Sequence, residues 1–376
     1  MFLKNISLLN FKNYHDTNFI FCPAVNCLTG NNGEGKTNLL DSIHYLSFCK
    51  SYFNPIDSHN IKHEDPFFVI QGVFFTKGED SEVYCGQKRN SKKQFKLNKK
   101  EYSRLADHIG LFPVVMISPA DADLINEGSE IRRRFIDSVI SQFDKKYLDN
   151  LINYNRALSQ RNALLKHFGD TRTFSQESLA IWDEKLIEFG SLIFEKRKQF
   201  IAELLPVFQT YYELISGGKE KVGVAYKSHL HDRDFKIGLT ESIAKDKILE
   251  YTTIGVHKDD LEFTINDFPV KKYGSQGQQK SYLISLKLAE FEHIKKTKKI
   301  TPILLLDDVY DKLDENRVGE LMKLVSGEKF GQLFITDTHP ARLGNLFSHN
   351  KIEFKLFKIK GGLIETEQAV EANDRS

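Results

Sequence analysis

The chain has 376 residues, 40% of them hydrophobic and 28% charged, and its 53 lysines and arginines against 51 acidic residues leave a net charge of +2. That length exceeds the roughly 250–300 residues at which a single core stops growing, so two domains are expected. No run approaches the ~18 consecutive apolar residues of a membrane span, and so balanced a charge leaves only local clusters from which to argue for a nucleic-acid partner.

The opening stretch MFLKNISLLNFKNY lacks the basic, apolar, small-residue order of a secretory leader, which points to the cytoplasm. Cys22, Cys27, Cys49 and Cys85 have neither metal nor redox spacing and read as small buried apolar residues. Apolar alternation in SLLNFKNY and the run NFIFCPAVNCLTG predict two strands, the second leading into GNNGEGKT at residues 30–37. Helical spacing of apolar residues follows from Thr37 to Leu46. Strand, glycine loop and helix in this order suit a phosphate cradle, because glycines let backbone N–H groups approach phosphate oxygens at a helix N-terminus. The pattern G-x-x-x-x-G-K-[ST] falls on Gly30, Gly35, Lys36 and Thr37. The predicted nucleotide site is therefore Gly30, Asn31, Asn32, Gly33, Glu34, Gly35, Lys36, Thr37 and Asn38. Within it Lys36 is expected to reach the β- and γ-phosphates of ATP and Thr37 to ligate Mg²⁺.

Residues 66–76 and 82–97 carry the aromatic and β-branched content of antiparallel strands, and residues 113–117 that of a buried strand. From Ser118 to about residue 216 the periodicity turns mostly helical, in stretches far shorter than the heptad array of a long coiled-coil arm. Gly217 and Gly218 then break the pattern; VGVAYKS reads as a strand, FKIGLTESIAKDKILEY as a helix and TTIGVHKDDLEFTI as β-like. The loop YGSQGQQKS precedes a helix to about Lys295, and ILLLDD ends a continuous apolar strand on two carboxylates. Asp307 is expected to hold the Mg²⁺ shell, and Asp308 to orient or activate an attacking water as the catalytic carboxylate beside Lys36.

Ser275, Gln276, Gly277 and Gln278 place a small hydroxyl and a glycine at a helix start, a second anion site in a chain that already has one cradle. A second subunit's nucleotide is its expected ligand, which implies a dimer. Three basic clusters stand out: Lys88 to Arg104, the triplet Arg132, Arg133 and Arg134, and His293 to Lys299. Each is either a solvated surface or a DNA phosphate contact; the triplet either binds DNA or pairs with Asp121, Asp123 or Asp137.

The order of P-loop, SQGQ signature, LLLDD strand and Asp311-Lys312-Leu313-Asp314 resembles ABC-type ATPase heads of the SMC branch, and the RecF family within it. The likeness rests on LLNFKNY, GKTNLLDSIHYLS, ISPADADLINEGSEIRRRFID, NYNRALSQRNALLK, GVHKDDLEFTI, YGSQGQQKSYLISLKLAEF, LLLDDVYDKLDENR and GQLFITDTHP, in that order. It implies an α/β fold: an ABC-type P-loop ATPase head assembled from residues 1–117 and 217–376, with a mainly helical domain inserted at 118–216. It further implies Ser275 and Gly277 contacting the facing subunit's γ-phosphate, Asp314 as a D-loop residue along a dimer interface, and RecO and RecR as partners in DNA repair. His339 is either a switch residue sensing the γ-phosphate or a surface histidine. Two departures from the family pattern are Tyr52 and Phe53 after Ser51, where an arginine is usual, and Gly255-Val256-His257-Lys258 in place of a glycine-proline-histidine turn followed by arginine. Rival readings are a P-loop kinase acting on a small molecule, a chromosome-organising SMC-like head and a transporter ATPase subunit.

Overall fold

The computed structural model describes residues 1–218, 220–309, 315–325, 327–339, 347 and 353–370. In chain order the first elements are β1 (Phe2–Leu9), β2 (Asp16–Ile20), β3 (Val25–Thr29), α1 (Lys36–Phe48), β4 (Phe67–Thr76), β5 (Glu79–Lys88), β6 (Gln94–Leu97), β7 (Lys100–Glu101) and β8 (Val114–Ile117). Next come α2 (Asp123–Asn126), α3 (Ser129–Phe143), α4 (Lys145–Thr171), α5 (Gln176–Ser216), β9 (Val222–Lys227), α6 (Phe235–Leu249), β10 (Asp260–Ile265), β11 (Phe268–Pro269) and α7 (Val270–Tyr273). The chain closes with α8 (Gln276–Lys298), β12 (Ile303–Leu306), α9 (Glu315–Val325), β13 (Leu333–Asp337), β14 (Phe354–Lys360) and β15 (Leu363–Val370).

Two compact units result, one of Met1–Asp121, Leu214–Gly218 and Gln276–Ser376, the other of Ala122–Glu213 and Lys219–Ser275. In the first, a sheet ordered β15-β14-β3-β13-β12-β8 is parallel except at its β15 edge. Its strands β3, β8, β12 and β13 are buried at every residue, which is why VNCLT, VVMI, ILLL and LFITD read as unbroken apolar runs rather than alternating ones. The second sheet, β2-β1-β4-β5-β6-β7, is antiparallel throughout, and β4 alternates buried and half-buried residues as a strand with one covered face does. Gln332 stitches the two sheets: its side chain accepts from the Leu3 N–H at 2.7 Å and donates to the carbonyls of Leu3 and Cys22, each at 2.9 Å. Beside it, the ring of Phe21 meets Phe334 edge-on at 4.7 Å and Phe357 at 5.8 Å.

In the second unit α3, α4, α5 and α6 accompany the antiparallel sheet β11-β10-β9. Asp144 and Asp234 cap α4 and α6, accepting from the N–H groups of Tyr147 at 2.9 Å and Ile237 at 3.0 Å. This division differs from the expected boundaries, since residues after 218 and up to Ser275 group with the helices. The cause is local: β9 pairs with β10 along its whole length, and β10 packs on α3.

Other differences are smaller. After β1 the chain turns at Asn10 and Lys12, at φ 52° and 53°, so that FKNY leaves the strand and keeps only a single bridge from Phe11 to Ile61. NFIFCPAVNCLTG splits into β2 and β3 at Pro23, which has no N–H to continue a ladder. Helix α8 begins at Gln276, which agrees with the helix start read at Ser275–Gln278 and shortens the loop read over YGSQGQQKS, and the β-like run before β10 is a short helical turn at Val256–Lys258 entered by Gly255 at φ 132°. The helical stretches of the insertion join into α4 and α5, of 27 and 41 residues, and α5 continues through Pro206.

Candidate nucleotide-binding site

The buried strand β3 delivers the chain to Gly30, whose φ of 142° and close approach to β14 exclude a side chain: an added Cβ would lie 2.3 Å from the Ile359 carbonyl oxygen. At Gly35, φ is 118° and a Cβ would fall 2.7 Å from the Asn13 side chain. The turn before β2 braces this loop. Asn13 donates to the Glu34 carbonyl at 3.0 Å and accepts from the Asn38 amide at 2.8 Å, while the Tyr14 hydroxyl donates to the Gly35 carbonyl at 3.0 Å. From the other side, the Gly362 N–H donates to the Glu34 carbonyl at 3.0 Å, and the Gly361 N–H donates to the Glu34 carboxylate. Sequence reasoning counted FKNY as strand and so missed Asn13 and Tyr14; the asparagine-tyrosine pair shortly before a glycine loop was the available signal.

Helix α1 begins at Lys36 with no side-chain cap, leaving its first N–H groups turned to the loop. The Lys36 ammonium donates to the carbonyls of Gly30 at 2.5 Å and Asn31 at 2.8 Å. Burial lowers its pKa, opposed by the carboxylates of Asp307, Asp308, Asp337 and Glu34. Across 270 residues of sequence, the Thr37 hydroxyl lies 3.0 Å from both carboxylate oxygens of Asp307 at the end of β12. Asp307 is only 5% exposed, and burial pushes its pKa up, with Asp308 adding to the effect and Thr336, Thr37 and Lys36 opposing it. A hydroxyl and a buried carboxylate short of compensating charge form a hard oxygen pair that suits Mg²⁺, whose remaining ligands are commonly phosphate oxygens and waters. No larger cluster of His, Cys, Asp or Glu capable of holding a metal occurs among the described residues.

The cavity at this point has a volume of about 150 Å³ and is lined by the glycine loop, Asp307, Asp308 and the residues Thr336, Asp337 and Thr338 after β13. Asp308, exposed at its rim, has φ 47°, a left-handed backbone uncommon for a non-glycine residue. Sequence reasoning brought together the loop, Asp307 and Asp308; it did not find Thr336.

Of the signature residues, Ser275 precedes α8 and Gln276, Gly277 and Gln278 form its first turn. A Cβ on Gly277 would sit 3.1 Å from the Arg317 guanidinium, which donates to Ser281 at 3.1 Å. One turn on, the Lys280 ammonium lies 3.3 Å from the Asp308 carbonyl oxygen. Asp314 lies outside the described residues. His339 is largely exposed, with its ring 2.8 Å from the Thr338 hydroxyl and its N–H donating to Asp337 at 2.9 Å.

The arginine triplet pairs otherwise than expected. Arg132 forms a two-pronged ion pair with Asp260, at 2.6 and 3.0 Å, and Arg133 donates to the Asp259 carbonyl at 2.6 Å. Arg134 pairs with Glu130 one turn back on α3, and Asp137 is held by Arg197. Asp260 at the start of β10 and the Asp259 carbonyl just before it receive Arg132 and Arg133, and Glu130 receives Arg134, while Asp137 acts on Arg133 through its charge. In the other unit, the Ser51 hydroxyl and the Tyr52 N–H both donate to Asp41, each at 2.6 Å, and Lys12 pairs with that buried carboxylate at 2.5 Å. No helix among the described residues is long and apolar enough to cross a membrane.

A profile of the RecF/RecN/SMC N-terminal domain matches residues 2–352. The chain is similar to the DNA replication and repair protein RecF of Phocaeicola vulgatus, 54% identical over 364 residues that make up 96% of this chain and 97% of that protein. Among solved structures it is similar to the recombination mediator protein RecF with ATP, in the RecFOR pathway, at 31% identity and a TM-score of 0.86 over 98% of this chain and 99% of that one. The Smc head domain of Pyrococcus furiosus, at 17% identity and a TM-score of 0.57 over 98% and 96% of the two chains, shares the fold. The α/β ABC-type head expected from sequence is thus the architecture found.

Proposed function

Since the chain belongs to the RecF/RecN/SMC N-terminal domain family of ABC-type ATPases, and within it to the RecF proteins of DNA replication and repair, we propose that it is an ATP-dependent recombination mediator that binds DNA without regard to sequence. In this reading ATP binding joins two heads, the dimer clamps DNA at gaps and single-strand/duplex junctions, and slow, weak hydrolysis releases it in the cytoplasm. RecO and RecR are the partners in this proposal, and DNA repair, replication restart and the SOS response its setting.

The observation that carries the reading is the meeting of Thr37 and Asp307 at the base of the glycine loop. When bound there, Mg²⁺ would supply charge neutralisation for the phosphates, held through Thr37 and Asp307. The rest falls to the chain's own groups. N–H groups of residues 30–38 hold phosphate oxygens, and Lys36 exchanges its loop carbonyls for them. Asp308, at the cavity rim, orients the attacking water. Ser275 and Gly277 at the head of α8 meet the nucleotide of a second copy, with Asp314 along the same interface and His339 following the γ-phosphate. A ligand touching both copies stabilises the dimer only while that phosphate remains, which makes ATP a switch.

Light scattering with ATP, with ADP and without nucleotide, each with and without a gapped duplex, tests the proposal. Wild type is expected to dimerise with ATP alone, Asp308→Asn to hold the dimer longer, and Ser275→Arg to stay monomeric. A protein that hydrolyses ATP yet remains monomeric with ATP and DNA would overturn the clamp in favour of a kinase-like enzyme.

A further inference from the structure

We propose that Thr336 is a positioning residue for both carboxylates at the end of β12, its one hydroxyl setting the side chain of Asp307 and the backbone of Asp308. The inference rests on the nucleotide-site reading above.

Strands β12 and β13 run parallel, with Leu306 opposite Ile335, so that the next residue of each strand, Asp307 and Thr336, emerges at the same end. Thr336 is 1% exposed. Its Oγ1 donates to Asp307 Oδ1 at 2.9 Å and accepts from the Asp308 N–H at 2.9 Å. A hydroxyl has one hydrogen to give, and here it goes to the carboxylate while a lone pair takes the backbone. The two bonds have distinct effects. Asp307 stands between the hydroxyls of Thr37 and Thr336, so its carboxylate plane is set before any ligand arrives. Asp308 has left the strand ladder and taken φ 47°, and the Thr336 oxygen receives the N–H that this turn would otherwise strand. Threonine suits the place because branching at Cβ restricts χ1, so the hydroxyl is aimed in advance. Serine retains the chemistry with less restriction, and valine retains the shape without it.

The test compares wild type with Thr336→Val and Thr336→Ser, reading affinity for a fluorescent ATP analogue with and without Mg²⁺, together with kcat, KM and the thermal midpoint. Removing a partner that orients a metal ligand commonly costs about 10–100-fold in metal affinity or activity. Thr336→Val is therefore expected to bind the analogue without Mg²⁺ as wild type does, to lose about tenfold of the Mg²⁺ enhancement, and to lose kcat by a similar factor with KM little changed. Thr336→Ser should stay close to wild type on every readout. In an Asp307→Asn background, Thr336→Val should produce little further loss of Mg²⁺ enhancement, since it acts through that carboxylate.

Unchanged Mg²⁺ dependence and kcat in Thr336→Val would overturn the proposal, as would a Thr336→Ser protein as impaired as the valine variant, which would show that a hydroxyl at this position does not by itself set the two carboxylates. Should Thr336→Val fail to melt cooperatively, Thr336→Ala is read by the same criteria. A wild-type protein that does not bind the analogue sinks the site reading and this inference together, whereas normal wild-type binding with an unaffected valine variant sinks this inference alone.

Discussion

His108 and His257 are held neutral by the same arrangement in different units. His108 donates from Nε2 to the Leu46 carbonyl at 2.6 Å and accepts at Nδ1 from the Tyr102 hydroxyl at 3.1 Å; His257 repeats this with the Thr252 carbonyl at 3.0 Å and the Tyr154 hydroxyl at 2.7 Å. A carbonyl only accepts, so Nε2 carries the hydrogen in both. Burial pulls each imidazole down to about 4, against a small upward pull from the backbone carbonyl it meets. The sign follows. An unfolded histidine titrates near ~6.5, so between there and about 4 the unfolded chain binds more protons, and stability falls as pH falls. The contribution is fully present above ~6.5 and amounts to about 2 kcal/mol per histidine lost between pH ~7.5 and ~5. Urea unfolding across that range should show the loss in wild type and a flatter profile in His108→Gln and His257→Gln. An unchanged slope in both variants would remove these histidines as the cause.

Among the elements, α5 is tied in place by a cation. Arg197, 2% exposed, donates to both oxygens of Asp137 on α3 at 2.8 and 3.0 Å, to the Tyr147 hydroxyl on α4 at 3.1 Å, and to Asp259 at 3.0 Å and the Val256 carbonyl at 2.8 Å before β10. Truncation would leave two carboxylates without their partner, and breaking a buried pair from one side costs about 3–5 kcal/mol. Calorimetry of Arg197→Met should show the transition of the helical unit lowered while nucleotide binding by the other unit persists; a variant that melts as wild type does would contradict this. Such a link is invisible in sequence, where Arg197 is one charge among many in EKRKQF. What sequence showed well was whatever one segment decides alone. The glycine loop, the fully buried ILLLD strand and the long helical periodicities each carry their own signal. What it did not show was decided by partners: β9–β10 joins the helices because of what it packs against.

For the molecule as a whole, the same logic separates the arginines that hold the fold from any that meet DNA. With a net charge of +2, no overall field draws in a polyanion, so binding must come from local contacts. Arg132 is spent internally on Asp260 and the carbonyls of Leu124 and Glu127, whereas the Arg134 side chain is 66% exposed beside Glu130 on the same helix. An exposed pair of that kind contributes at most about 1 kcal/mol, so a phosphate can displace it at little cost. On the DNA-clamp reading, Arg134→Gln should weaken binding of a gapped duplex, reduce the slope of log affinity against log salt by about 0.9 for one lost phosphate contact, and leave the thermal midpoint unchanged. Arg132→Gln should do the reverse, lowering the midpoint while the salt slope stays as in wild type. Because each variant is read on both axes, folding damage cannot pass for lost DNA contact. If Arg132→Gln alone flattens the slope, the Asp260 pair must open to admit DNA; if neither does, the phosphate contacts lie elsewhere, and the exposed lysines at 92, 99 and 100 beside β6 and β7 become the segment to test.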